Sequence, residues 1–319
     1  MKIVFMGTPE FAVPSLYSLT VSSHKVIAVV TQPDRPRGRS KIPSPSPVKV
    51  KAQERGLKIL QPDNINDEPI VRQLQDLSPE CIVVVAFGQF LSNTILQIPR
   101  HRCLNIHASL LPKYRGAAPI NWAIMQGEAV TGVTAVVMTA RMDAGEIIAQ
   151  EATPLPMSEN AGGLEKRLSV MGAELLIDAL HLIETGKATY TQQDENGVSF
   201  APKLKKEHGL ILWAQGAQKI HNLVRGLTPS PGAYAYLLKN DSKERVRILI
   251  QHTQIHDMSK TTSPLAPGMI CEITPCGIHV ATVDGIICIT QLQPEGKRVM
   301  DAQEYIRGHR ITAGDMLVS

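Results

Sequence analysis

Two polar side chains interrupt the apolar segment Cys103–His107, and their types suit chemistry at a carbonyl carbon. Alternate side chains of a β-strand face opposite sides, so Asn105 and His107 share one face while Leu104 and Ile106 share the other. An amide donates hydrogen bonds to a developing oxyanion, and an imidazole accepts and releases a proton. The spacing therefore indicates a catalytic pair, although a single histidine at the end of a strand is more often a structural residue.

A carboxylate that orients the imidazole would favour the catalytic interpretation, and Asp143 is the candidate. It follows the apolar run Val133–Val137, which is predicted to be a strand. The alternative is that Asp143 only forms a turn before Gly145. The pattern alone does not decide whether Asp143 reaches His107.

The elements that must position these side chains alternate between strands and helices in the first half of the chain. Continuous apolar runs predict buried parallel strands at residues 2–6, 26–30, 58–60 and 82–86, with helices at 9–20, 48–55 and 68–77 between them. The pattern predicts a doubly wound, Rossmann-like α/β domain with its crevice at the carboxyl ends of the strands. The first strand-to-helix turn has neither G-x-G-x-x-G nor G-x-x-x-x-G-K-[ST], which argues against a nicotinamide or flavin cofactor and against a Walker phosphate loop.

Residues 32–47 differ in composition from the rest of this domain, with five prolines, four basic residues and one acidic residue. A loop of this length within a compact domain is usually functional or disordered. One interpretation is a solvated linker inside the fold. The other is a basic arm that binds phosphates.

A second domain is predicted after a long helix at residues 163–185. We predict an α/β domain at residues 1–188, a polar linker at 189–206 and a second domain at 207–319. Short β-patterned runs separated by glycine-rich turns predict that the second domain is a small, OB-like β-barrel. Residues 201–319 hold 14 Lys/Arg and 10 Asp/Glu, a difference equal to the net charge of +4, and this excess fits a polyanionic partner.

The composition excludes several other classes of protein. Aromatic residues make up 4% of the chain, which argues against a large stacking platform for single-stranded nucleic acid. No secretory signal and no run near the ~18 apolar residues of a membrane helix are present, so we expect a cytoplasmic protein with reduced thiols. Cys271, Cys276 and His279 have C-x4-C spacing without a second pair, so we expect no metal.

A longer motif surrounds the proposed catalytic pair: Asn105-x-His107-x-Ser109-Leu110-Leu111-Pro112-x-x-Arg115-Gly116. It resembles the signature of the folate-dependent formyltransferases, and Asp143 matches their loop aspartate. The similarity extends over nearly the whole chain. The other segments that look like this family are Gly7-Thr8-Pro9, the loop from Gln32 to Val50, Ala117-Ala118-Pro119-Ile120 and Pro229-x-Pro231. The basic loop and the second domain are similar to those of the members that act on methionyl-initiator tRNA.

The resemblance implies formyl transfer from 10-formyltetrahydrofolate to the α-amine of methionyl-initiator tRNA, with Asn105, His107 and Asp143 as the catalytic residues. It also implies that the chain binds tRNA through Arg39, with Lys41 nearby, and through residues 207–319, and we expect a monomer. The folate-binding residues that it implies belong to two segments: Ser109, Leu110, Leu111 and Pro112 in one, and Phe87, Gly88 and Leu91 in the other.

Two departures from the family pattern leave the conformation of two loops open. The family's Asp-x-Gly triplet before the loop aspartate is Thr139-Ala140-Arg141 here, and Ser40 replaces a glycine beside Arg39. Two alternatives to the tRNA substrate also stay open. One is another member of the superfamily, which formylates glycinamide ribonucleotide or a sugar amine or hydrolyses formyl-folate. The other is a non-catalytic RNA-binding protein with a relic α/β domain.

Overall fold

The chain folds into two compact units. A computed structural model describes residues 1–36, 42–238, 245–256 and 265–319. The first unit contains Met1–Pro119, Val130–Pro154 and Glu165–Pro202, and the second contains Ile120–Ala129, Leu155–Leu164 and Lys203–Ser319. Within the predicted linker, residues up to Pro202 thus belong to the first unit. Among the described residues, no helix has the length and apolarity to span a bilayer.

The first unit is built around one sheet flanked by helices. Its strands are β1 Lys2–Gly7, β2 Lys25–Val30, β3 Arg35–Pro36, β4 Pro43–Ser44, β5 Ile59–Leu60, β6 Cys81–Val85, β7 Cys103–His107, β8 Arg115–Gly116, β9 Val130–Val137, β10 Ile147–Pro154 and β11 Phe200–Ala201. The helices that begin before residue 203 are α1 Val13–Val21, α2 Pro47–Glu54, α3 Glu68–Leu77, α4 Asn93–Leu96, α5 Pro119–Met125 and α6 Ala161–Glu184, with short 3-10 helices at Glu10–Ala12 and Glu195–Gly197. Of these, α5 after Pro119 and the first four residues of α6 belong to the second unit.

The main sheet has the order β10-β9-β7-β6-β1-β2-β5. The pairs among β5, β2, β1, β6 and β7 are parallel, which confirms the Rossmann-like prediction. β9 runs antiparallel to β7, and β10 runs antiparallel to β9, so the sheet is mixed. The apolar runs predicted the parallel strands because both faces of these strands are buried, as the fully buried β6 illustrates.

The parallel register fixes where the proposed catalytic strand ends. Val84 of β6 pairs with Asn105 of β7, and His107 is the last residue of β7. The loop after β6 and the loop after β7 therefore leave the sheet at the same edge. Open α/β sheets form their ligand crevices at this edge.

The second unit contains a curled antiparallel sheet and its own apolar core. Its strands are β12 Ala233–Leu238, β13 Arg245–His256, β14 Ile270–Thr274, β15 Gly277–Ala281, β16 Ile286–Pro294, β17 Met300–Asp301 and β18 Met316–Val318; its helices are α7 Ala217–Leu227 and α8 Ala302–Gly308, with a 3-10 helix at Lys206–Gly209.

The strands of this sheet lie in the order β14-β15-β16-β13-β12-β18. The sheet curls until its first and last strands come together. The Leu317 amide donates to the Gly268 carbonyl at 2.7 Å, and the Ile270 amide donates to the Asp315 carbonyl at 2.8 Å. These bonds satisfy backbone groups that a free sheet edge would expose. The curled sheet confirms the predicted barrel-like second domain. Its interior is apolar, with Ile250, Val280 and Ile287 almost fully buried.

Candidate active site

The carboxylate of Asp143 lies beside both polar side chains of β7. One oxygen, Oδ1, accepts from Asn105 Nδ2 at 3.4 Å. The other, Oδ2, lies 3.7 Å from His107 Nδ1. The structure therefore brings together the amide, the imidazole and the carboxylate, which come from segments nearly 40 residues apart in the chain. This convergence is possible because side chains alternate along a strand, so that Asn105 and His107 lie on the same face of β7.

A backbone amide also donates a hydrogen bond to this carboxylate. The Gly116 amide donates to Asp143 Oδ2 at 2.9 Å. Gly116 has a φ of +129°, and a Cβ atom there would lie 2.6 Å from the Ala201 carbonyl oxygen. A residue with a side chain would therefore separate β8 from β11 and withdraw the amide from Asp143. Asp143 itself has a φ of +51°, a left-handed conformation that aspartate tolerates better than most residues.

His107 has a partner for each ring nitrogen. Nε2 lies 2.9 Å from the Tyr114 carbonyl oxygen. A carbonyl oxygen only accepts hydrogen bonds, so this contact assigns a proton to Nε2 and leaves Nδ1 toward Asp143. The imidazole is 5% exposed, and its ring is thus held by backbone on one side and by a carboxylate on the other.

The backbone that supplies these contacts is anchored by the segment after α6. The Ser199 hydroxyl accepts from the Tyr114 amide at 2.9 Å, and the Ser199 carbonyl accepts from the Arg115 amide at 2.8 Å. β11 then pairs in parallel with β8, with Phe200 beside Arg115. Residues 199–201 therefore position β8, whose Gly116 amide donates to Asp143.

A buried arginine and a glutamine hold the loop that carries Asp143. Gln193 donates to the Asp143 carbonyl at 2.7 Å and to the Gly145 carbonyl at 2.8 Å. Its Oε1 accepts from Arg115 Nε at 3.0 Å and from Nη2 at 2.8 Å. The Arg115 side chain is 3% exposed, so Gln193 satisfies a buried cation and two loop carbonyls at once.

Glu195 completes this network at the surface. Its carboxylate contacts Arg115 Nη2 at 3.3 Å and Arg141 Nη2 at 3.4 Å. The hydrogen bond from Arg115 is the main cause that lowers the pKa of Glu195, and Arg141 lowers it further. Arg141 belongs to the triplet Thr139-Ala140-Arg141 that departs from the expected family pattern. In this chain, the departure adds a cation that pairs with Glu195.

The segment Ser109–Pro112 is held mainly by a buried threonine. The Thr134 hydroxyl donates to the Ser109 carbonyl at 2.6 Å and accepts from the Leu111 amide at 3.2 Å. The Ser109 hydroxyl donates to the Lys113 carbonyl at 2.7 Å, and the Ser109 and Leu111 side chains are buried. Leu110 and Pro112 are only half-buried, so they are the members of this segment with side-chain surface for a ligand.

The loop after β6 has an exposed phenylalanine on an anchored backbone. The Phe87 carbonyl accepts from the Thr8 hydroxyl at 3.0 Å and from Gln32 Nε2 at 3.3 Å. Phe87 and Leu91 are buried, whereas Phe90 is 67% exposed. Gly88 has a φ of +89°, which permits the turn between them. This loop and the segment Ser109–Pro112 both follow strands that end at the edge of the sheet where His107 lies.

Two family models match the chain. The model described as formyl transferase matches residues 1–180, and the model described as formyl transferase, C-terminal domain, matches residues 203–310. The chain belongs to the formyltransferase family. The first match contains Asn105, His107 and Asp143.

Relatives of this formyltransferase are similar over their full lengths. A methionyl-tRNA formyltransferase of Geotalea uraniireducens is 43% identical over 317 residues, which cover 99% of this chain and 98% of the relative. A methionyl-tRNA formyltransferase of Moorella thermoacetica is 45% identical over 320 residues, which cover 99% of each protein.

Solved structures agree on the fold at lower identity. The N-formyltransferase from Helicobacter canadensis, in complex with folinic acid and dTDP-3-aminofucose, has a TM-score of 0.65 and 17% identity and covers 92% of this chain and 99% of its own. HypX from Aquifex aeolicus, in complex with tetrahydrofolic acid, has a TM-score of 0.61 and 18% identity; the match covers 96% of this chain and 47% of HypX.

The basic residues expected to contact tRNA lie outside the described residues of the formyltransferase. Arg39 and Lys41 fall between β3 and β4, which pair with each other through Arg35 and Ser44. Immediately before β3, Asp34 accepts from Lys49 Nζ at 2.6 Å and from Gln61 Nε2 at 2.8 Å. The described ends of the basic loop are therefore fixed to the first unit.

Sequence reasoning missed Gln193 and the Tyr114 carbonyl. Gln193 lies in the polar stretch interpreted as a linker, where a glutamine gives no signal of a role. A backbone carbonyl contributes to a site whatever its side chain is. Arg115 did have a signal, because it belongs to the motif that follows His107.

Proposed function

We propose that this chain transfers a formyl group from 10-formyltetrahydrofolate to the α-amine of methionyl-initiator tRNA, and so provides N-formylmethionyl-tRNA for the initiation of translation. The observation that supports this substrate is the 43–45% identity, over nearly the whole chain, with relatives named methionyl-tRNA formyltransferase. The reaction needs a site that stabilises a tetrahedral oxyanion and moves one proton. The cluster of Asn105, His107 and Asp143 supports both requirements.

In the proposed reaction, the neutral α-amine attacks the formyl carbon and a new C–N bond forms. Asn105 Nδ2 and a proton on His107 Nδ1 stabilise the oxyanion. Their contacts with Asp143, at 3.4 and 3.7 Å, are longer than the roughly 2.7–2.9 Å of a charge-assisted hydrogen bond. A substrate oxygen can therefore share both donors. The bond from carbon to N10 of the folate then breaks, and N10 receives the proton that the attacking amine loses.

Asp143 has a positioning and electrostatic role in this account. Its carboxylate is fixed by the Gly116 amide, and its negative charge lies 3.7 Å from His107 Nδ1, where it stabilises positive charge on the ring in the transition state. Tyr114 holds the opposite ring nitrogen. The ring is therefore oriented before substrate binds, which lowers the entropic cost of reaching the transition state.

The folate and the tRNA are assigned to separate parts of the chain. We propose that the folate ring is bound by the loop Phe87–Leu91 and by Ser109–Pro112, with Leu110 and Pro112 as side-chain contacts. The tRNA is assigned to Arg39 and Lys41 and to a domain at residues 207–319, with a catalytic domain at 1–188 and a linker at 189–206. We expect a cytoplasmic monomer that does not associate with membranes.

A comparison of acceptors tests this function. Purified protein is supplied with 10-formyltetrahydrofolate and, in separate reactions, with methionyl-initiator tRNA, glycinamide ribonucleotide and a dTDP-amino sugar. We expect formylation of the tRNA at a kcat/KM at least about a hundredfold above the other acceptors, because recognition of the correct polar substrate exceeds that of poor analogues by such factors. A preference for a small amine would refute the substrate, and folate binding without any transfer would favour a non-catalytic protein.

A further inference from the structure

Three neighbouring strands of the second unit bring two histidines and a cysteine together. His279 on β15 lies directly opposite Cys288 on β16. On the other side of β16, Cys288 lies opposite Gln254 of β13, two residues before His256. Because side chains two residues apart share a face of the sheet, all three side chains lie on one face. A ligand atom from each lies within 4.8 Å of the other two.

This face is opposite to the apolar core, although two of the side chains are buried. The flanking residues Ile287 and Ile289 belong to the core of the second unit, so Cys288 between them faces away from that core. Cys288 is 0% exposed and His279 is 7% exposed. The Cys288 thiol and the His279 ring are therefore shielded from solvent.

Several ligand atoms of the group are not used in hydrogen bonds within the described residues. His279 Nε2 pairs with the Thr274 hydroxyl at 3.0 Å, and its Nδ1 has no hydrogen-bond partner among the residues that the structure describes. The His256 ring meets the His279 ring edge-on, with centroids 4.8 Å apart, and the Cys288 thiol is free of disulfide bonding. The pairing with Thr274 also resembles the outer hydrogen bonds that orient metal-binding histidines.

We propose that His256, His279 and Cys288 form a site for one Zn²⁺ ion. Two imidazole nitrogens and one thiolate form a ligand set that zinc prefers, and the ion requires three or four such ligands in tetrahedral geometry. On binding, the Cys288 S–H bond breaks, the proton passes to solvent and an S–Zn bond forms without a change of oxidation state. A water molecule completes the coordination. The ion connects β13, β15 and β16 outside the apolar core.

The short-range pattern in the sequence did not identify this site. Of Cys271, Cys276 and His279, only His279 belongs to the group. The Cys271 thiol instead donates to the His279 carbonyl at 3.3 Å, and Cys276 is exposed. The ligands come from three strands, so their spacing in the chain does not follow a known zinc motif.

Metal titration of the full chain tests the proposal. Untagged, reduced protein is freed of metal with a chelator and titrated with Co²⁺, which reports thiolate ligation through a charge-transfer band in the near ultraviolet, and then with Zn²⁺ in competition with a chromophoric chelator. We expect one equivalent of Co²⁺, the charge-transfer band and its displacement by Zn²⁺. Cys288→Ala should remove the band.

His256→Ala is the decisive variant, because His256 is only half-buried and its loss should leave the fold intact. We expect Zn²⁺ affinity to fall by more than about tenfold, at least as much as the loss of an outer partner costs. His252→Ala is the matched control, since His252 lies exposed on the same strand and contacts Thr290, and its affinity should not change. A wild-type protein without the charge-transfer band, or equal Zn²⁺ affinity in wild type and His256→Ala, would overturn the site. Neither result depends on formyl transfer.

Discussion

Gln193 offers the sharpest test of how the proposed active site is held in place. Replacing it with methionine keeps the side-chain volume and removes four hydrogen bonds, two to the loop carbonyls of Asp143 and Gly145 and two from the Arg115 guanidinium. The two neutral bonds contribute about 1 kcal/mol each and the contact with the buried cation about 1.5–3 kcal/mol. We therefore expect Gln193→Met to lower the free energy of unfolding by about 3.5–5 kcal/mol at most, since Arg115 keeps Glu195.

The same change should slow the reaction without abolishing it. The loop no longer holds the Asp143 carboxylate against Asn105 and His107, and a misplacement of about 1 Å reduces rates by up to about a hundredfold. We expect kcat to fall by about ten- to a hundredfold, with little change in the KM for methionyl-initiator tRNA. Single-turnover transfer from labelled 10-formyltetrahydrofolate measures the chemical step, and urea unfolding measures stability.

The adjacent Gln192 provides the control. It is exposed, and its side chain donates to Glu146 at 3.1 Å. Gln192→Met should therefore change the free energy of unfolding by less than ~0.5 kcal/mol and kcat by less than about twofold. If both variants keep a normal kcat, the position of the Asp143 loop does not depend on the buried hydrogen bonds of Gln193. The positioning role of Gln193 would then be wrong.

Four further experiments test other parts of the molecule. His107→Ala should lower kcat by about 10²–10³, as expected for an oxyanion donor, and near-normal turnover would contradict its role. Arg39→Ala should raise the KM for tRNA more at low salt than at high salt, because phosphate contacts depend on salt; unchanged kinetics would remove the proposed arm. Burial lowers the pKa of His221 below its ordinary 6.5, so the unfolded chain takes up the proton first and the free energy of unfolding should fall as the pH drops below 6.5. Urea titrations at two pH values should show this slope, and it should be smaller in His221→Gln. Burial raises the pKa of Cys81 to about 12, so Ellman's reagent should label the exposed Cys276 quickly and Cys81 only after unfolding; rapid native labelling of Cys81 would contradict its burial.

The first sheet was predictable because its strands are buried on both faces and therefore appear as continuous apolar runs. The register of Asn105 and His107 followed from simple alternation along β7. The antiparallel pair β9 and β10 was predicted only in part, because β10 is half-exposed along Ile147–Pro154 and carries polar residues that resemble a loop. The hydrophobic pattern of the sequence is therefore a weak predictor of such an edge strand.

The close contacts of the candidate site lay beyond pattern reasoning for a physical reason. The distance from Asp143 to His107 depends on Gly116, Tyr114 and Gln193, whose contributions come from main-chain atoms or from a polar side chain without periodicity. Loop conformation of this kind is set by tertiary contacts and not by local preference. The sequence pattern named the three catalytic candidates and the resemblance to formyltransferases implied that they act together, whereas the supporting hydrogen bonds required the three-dimensional structure.

The pairing of β11 with β8 has a practical consequence for work on isolated fragments. A fragment cut at residue 180, where the first family match ends, or at residue 188 would lack Gln193, Ser199 and the strand Phe200–Ala201. Arg115 would then be buried without its main acceptor, and the Tyr114 and Arg115 amides would lose Ser199. A shortened catalytic fragment therefore has to extend through Pro202 before loss of activity in it can be attributed to the missing residues Lys203–Ser319.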